Sequence, residues 1–120
     1  MSYQWKKEVL IESQEVVANI ESNPFHTQQF NHISVQCIWK NLTGTLNGTF
    51  SVLGSNNGVD FDEVVIPVNI NTANGNDVIL INSFPLVFIK VMFTINGITG
   101  GTFETILCEK EGKWKFSITT

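Results

Sequence analysis

The chain has 120 residues, 42% of them hydrophobic, 11% aromatic and only 15% charged, with a net charge of −4. This composition suits one packed core and excludes a disordered or strongly charged polypeptide. Arginine is absent and lysine supplies every fixed cation, so the planar fork that reads phosphate and guanine is missing, and neither nucleic acid nor an anionic membrane is an expected partner.

The first residues, Met-Ser-Tyr-Gln-Trp-Lys-Lys-Glu, lack the apolar stretch of a secretory signal, and no apolar run is long enough for a membrane-spanning helix. Synthesis in the cytoplasm is the expectation. Val9, Leu10, Ile11, Val16, Val17 and Ile20 suit an amphipathic helix or two strands, and their β-branched content favours strands.

From His32 onward the apolar period is two. Ile33, Val35, Cys37 and Trp39 share one face of a run whose other face is mostly polar. After a loop over 41–47, Phe50 and Val52 repeat the pattern, and Ser55-Asn56-Asn57-Gly58 turns the chain. Val64, Ile66, Val68 and Ile70 form the next inward set, with Pro67 marking an edge strand or bulge. A polar loop over 71–77 precedes the short apolar strand 78–81. Residues 86–95 then place Val87, Ile89, Val91, Phe93 and Ile95 on one face. A turn over 96–101 leads into a last strand over 102–108, followed by a polar tail from Glu109 that holds Trp114 and Phe116.

Thr43–Phe50 and Asn96–Phe103 both end in Gly-Thr-Phe, and each is expected to close a hairpin. About seven or eight short strands predict an all-β fold, a two-sheet antiparallel sandwich of jelly-roll or immunoglobulin-like type. The organisation expected is a single domain over 1–120 with short arms at 1–6 and 111–120.

Residues for catalysis do not assemble in the sequence. His26 and His32 lack a nucleophile motif, and Asp60, Asp62 and Glu63 lack the spacing of a calcium loop. The glycines form no phosphate-binding fingerprint, and Cys37 and Cys108 have no Cys-x-x-Cys partner, so they are read as buried free thiols. No cofactor, no metal site and no enzymatic activity are expected. Candidates for partner contact are Trp5 and Trp114 near the ends, and Ile38, Phe88 and Met92, which oppose the inward faces of their strands.

Two segments carry a resemblance. Residues 43–64 include Gly-Thr-Phe-Ser-Val-Leu-Gly-Ser-Asn-Asn-Gly followed by Phe61, and residues 84–110 include the long strand with Lys90 and a Gly-rich turn before the last strand. They resemble small β-sandwich virion proteins of tailed bacteriophages, with Asn57 where Asp is usual and Lys90 where Arg is usual. The resemblance implies a virion component, made in the host cytoplasm, of the auxiliary capsid (decoration), head-fibre, tail or baseplate type. The implied partners are the major capsid protein or other virion proteins, or further copies of the chain. Auxiliary capsid protein is the leading expectation, and a carbohydrate-binding module stacking sugar on Trp5 or Trp114 is the alternative.

Overall fold

A computed structural model describes residues 3–27, 32–81 and 87–112, with side chains described from 7 to 109 within those ranges. The strands are β1 (Tyr3–Glu15), β2 (Ile20–Glu21), β3 (Phe25–His26), β4 (His32–Gly44), β5 (Gly48–Ser55), β6 (Asp62–Glu63), β7 (Val68–Ile70), β8 (Gly75–Ile81), β9 (Phe88–Ile95) and β10 (Ile98–Gly112). No helix occurs among the described residues. The alternation of apolar and polar residues thus leads to two antiparallel sheets packed as a sandwich. One sheet has the order β1-β10-β4-β8 and the other β2-β9-β5-β6, with β3 also on β9 and β7 also on β5.

The pairing is nested from the outside inward. The first strand pairs with the last, β2 and β3 with β9, β4 with β8, and β5 with β6 and β7. Added pairs β10–β4 and β9–β5 close each sheet. A long hairpin rolled on itself gives this order, so the sandwich is a jelly roll rather than an immunoglobulin-like fold.

Among the described residues ten strands replace the expected seven or eight because two are interrupted. Ser22 donates its N–H to the Val91 carbonyl and accepts the Val91 N–H on its hydroxyl, before Asn23 and Pro24 break the strand between β2 and β3. Between β6 and β7, continuing the Leu53–Glu63 register would set Ile66 opposite Phe50, yet Val68 stands there. Two residues are therefore extra, and Ile66 is 89% exposed, contrary to its expected inward place. Pro67, which has no N–H to give a ladder, lies in this break.

The first stretch, Val9 to Ile20, forms no helix but two strands, as its β-branched content predicts: the end of β1, which has register breaks near Ile11, and the start of β2 in the other sheet. Residues expected as arms pair in the β1–β10 ladder, from Tyr3 opposite Gly112 to Lys6 opposite Glu109, so β10 runs through the predicted start of the tail. Residues 113–120 lie outside the described residues. The polar loop before β8 ends at Asn74, and the turn before β10 is only Asn96-Gly97.

The Gly-Thr-Phe segments do not close hairpins. β4 and β5 lie in different sheets, as do β9 and β10, so both turns carry the chain across the sandwich. The connections 16–19 and 71–74 cross at the same end. There Val16 donates to the Gly101 carbonyl, Thr45 to Gly97, Asn96 to Asn47 and Leu42 to Ala73. The Asn19 and Asn74 side-chain carbonyls accept the N–H groups of Ile95 and Asn41. This end is closed by hydrogen bonds in place of side-chain packing alone.

One cluster of buried side chains fills the space between the sheets. Ile33, Val35, Cys37, Trp39, Phe50 and Val52 are buried as expected, with Ile89, Val91 and Phe93 from β9. Phe103, from the first sheet, stacks on Phe93 of the second with ring centroids 4.2 Å apart and also meets Phe50 at 5.8 Å. Gly75, beside Trp39 in the ladder, leaves room for the indole, because a β-carbon would lie 2.6 Å from Cζ2.

Candidate functional site

The candidate contact residues fall on opposite sides of the sandwich. Ile38 is on the outer face of the β1-β10-β4-β8 sheet, between Glu104 and Asn76 in the ladder. Phe88 and Met92 are on the outer face of the second sheet, on β9. Trp5 is opposite Lys110 in the β1–β10 ladder, with its side chain outside the described set, and Trp114 lies outside the described residues.

On the second sheet, the loop after β5 folds back over the face. Asn57 organises it: its Oδ1 accepts the N–H groups of Val59 and Asp60 and the Ser55 hydroxyl, each at 2.9 Å, while its Nδ2 donates to Asp60. Gly58, at φ +77°, then lies against the Phe88 ring, which also contacts His26 at 5.2 Å between centroids. Phe88 is thus half-covered from within the chain. Lys90 pairs with Glu21 at 2.6 Å and stands 4.4 Å from the centre of the Phe61 ring. Phe61 and Lys90, which carried the resemblance, form a cation–π contact that pins the same loop. Met92 is flanked by Glu21 and Ser51.

On the first sheet the outer face carries an apolar band that the period-two reading did not single out. Val9, Ile106, Gln36 and Val78 form one row across the four strands, and Lys7, Cys108, Ser34 and Leu80 form the next. Val9, Val78 and Leu80 are 50%, 53% and 66% exposed. The run Val78-Ile79-Leu80-Ile81 is apolar at every position, so alternation could not tell its inner from its outer residues. The Gln36–Asn76 and Gln36–Val78 relationships that betray the outer side are contacts between strands distant in sequence.

The titratable groups are dispersed. His26 packs on Phe88, His32 is exposed at the start of β4, and Asp60 is held by Asn57. Cys37 lies in the core, where burial and then the charge of Asp77 push its thiol up to about 12, so it is a neutral packing residue rather than a nucleophile. No group of three His, Cys, Asp or Glu side chains suited to a metal occurs among the described residues.

No protein-family model matches the chain, and no curated protein matches its sequence. Solved structures share its fold. The SPBc2 prophage-derived protein YomS superposes with a TM-score of 0.60 at 13% identity, over 92% of this chain and 96% of that one. A chain of the infectious bursal disease virus T13 particle superposes with a TM-score of 0.56 at 9% identity, over 91% of this chain. The VP2 subviral particle of the same virus gives 0.55 at 10% identity over 96%. This chain spans about a third of those viral chains, 31% and 34%. These likenesses concern the fold.

Proposed function

We propose that the chain is a non-enzymatic virion structural protein, and specifically an auxiliary capsid (decoration) protein that docks on an assembled shell and reinforces it. The observation that carries the reading is the jelly roll it shares, nearly end to end, with a prophage-derived protein. The same fold within viral particle proteins supports it. Dispersed histidines and carboxylates and an inert Cys37 fit a protein that acts through its surfaces.

Docking on a shell uses apolar area, which the outer band of Val9, Ile106, Val78 and Leu80 supplies, and backbone pairing at a sheet edge. Release from the particle is then expected to depend little on salt, because the band has few charges. The test is co-purification with assembled capsids and the copy number relative to the shell protein. A fixed stoichiometry that survives high salt supports decoration. Capsids that lack the protein, with the protein found in tails or free, sink it.

A further inference from the structure

We propose that β8 is the pairing edge for a second copy of this chain, joining two four-stranded sheets into one eight-stranded sheet about a twofold axis. This does not rest on the virion reading. Sheet edges with unpaired N–H and C=O groups are normally guarded by short length, charge, proline or bulges. Three of the four edges formed by the described residues follow that rule. β1 has two register breaks and carries Lys6, Lys7, Glu8, Glu12 and Glu15. The edges of the second sheet consist of β2, β3, β6 and β7, each of two or three residues.

β8 is different. It is seven residues long, regular in register and free of proline and lysine. Among the described residues it pairs only with β4. Its outward side chains, Asn76, Val78 and Leu80, bear no charge, and neither do Ser34, Gln36 and Ile38 beside them on β4. A chain of net charge −4 therefore meets its own copy through an uncharged strip.

The one charge on β8, Asp77, selects the register. An antiparallel pair centred on Ile79 sets Val78 opposite Leu80 of the other copy and Asp77 opposite Ile81. Centring on Val78 instead brings the two Asp77 carboxylates into diagonal contact on one face and sets Leu80 against Asn76. The Ile79-centred pair is self-complementary, as a twofold interface must be. A seven-residue contact is small beside the roughly 800 Å² per partner of a standard interface, so the pair is a concentration-dependent equilibrium.

Sedimentation over about a hundredfold concentration range reads this directly, together with hydrogen exchange at the Val78 and Leu80 amides. The expected result is a monomer–dimer equilibrium with both amides protected in the dimer. Val78→Lys and Leu80→Asp, both at exposed positions that leave the core intact, each weaken self-association by about tenfold or more. Mixing the two variants restores dimer, because the introduced lysine of one copy faces the introduced aspartate of the other. A wild type that stays monomeric throughout overturns the proposal. So does a dimer that both variants leave unchanged, or a monomer with protected edge amides, which would assign the edge to residues 113–120 of the same chain.

Discussion

Gly44 rests its α-carbon against the carbonyl oxygen of Gly97, and a β-carbon at position 44 would overlap that oxygen and lie 2.9 Å from the Thr99 nitrogen. Gly44 also holds φ at +87°, and the neighbouring hydroxyls of Thr43 and Thr99 are 3.1 Å apart. The two Gly-Thr-Phe turns are therefore spatial neighbours. Their likeness in sequence reflects one shared task, carrying the chain between sheets where backbones approach closely.

Gly44→Ala is expected to destabilise the protein by roughly 2–4 kcal/mol, since left-handed strain adds to a collision with backbone that cannot move aside. Gly58→Ala, also at positive φ but facing the edge of the Phe88 ring at 3.1 Å, should lose about 1 kcal/mol. Urea denaturation of both variants checks the order, and equal losses would contradict it.

The Asn57 Oδ1 accepts three hydrogen bonds in the loop that covers Phe88. Asn57→Ala should cost about 1–2 kcal/mol and raise the proteolysis rate between Gly54 and Phe61, because two backbone donors lose their acceptor. Asn57→Asp keeps the acceptor but sets a carboxylate beside Asp60, which accepts from Nδ2 in the native chain. Its loss is therefore expected to be relieved by Asp60→Asn, and a double-mutant cycle measures that coupling.

The Thr105 hydroxyl is fully buried between Ile11 and Cys37 and has no hydrogen-bond partner among the described residues. Thr105→Val replaces the hydroxyl with a methyl group of similar shape, and is expected to raise stability by about 1 kcal/mol, read as an upward shift in the denaturation midpoint. A clear loss would show that the hydroxyl is satisfied in solution.

Cys37 links stability to alkaline pH. Its thiol is raised from 9.0 to about 12 in the folded chain, so the native state holds the proton after the unfolded state has released it. The stabilisation is present in full below pH 9, and is lost as pH rises towards about 12, with a limiting slope near 1.4 kcal/mol per pH unit for one group. Cys37→Ala should lower stability at neutral pH and flatten this alkaline limb. Thiol labelling at pH 8 should modify Cys37 only on unfolding.

Much of the core was legible in the alternation alone. Ile33 to Trp39 and Ile89 to Phe93 are buried in the phase their sequence predicts, because a pleated strand sends successive side chains to opposite faces whatever its neighbours are. Ile66 defied the same rule, since it sits in a two-residue excess between β6 and β7 that appears only when those strands are aligned on β5.

The candidate contacts were legible as outward positions, but not as a surface. Ile38 and Phe88 each oppose an inward face, yet they stand on different sheets, and Phe88 is half-covered by a loop held through Asn57.

The chain's residues, taken alone, determined that it forms strands and, wherever polar and apolar residues alternate, which side of each strand is apolar, because those properties are local. Tertiary pairing decided the strand order, the crossing of both Gly-Thr-Phe turns between sheets, and the position of β8 at an edge. Val78 and Leu80 are no less apolar than Ile79 and Ile81; the ladder with β4 turns the first two to the outer face, and among the described residues no strand pairs with the other edge of β8. That outcome depends on contacts between residues some forty positions apart, whose energies no short window of sequence contains.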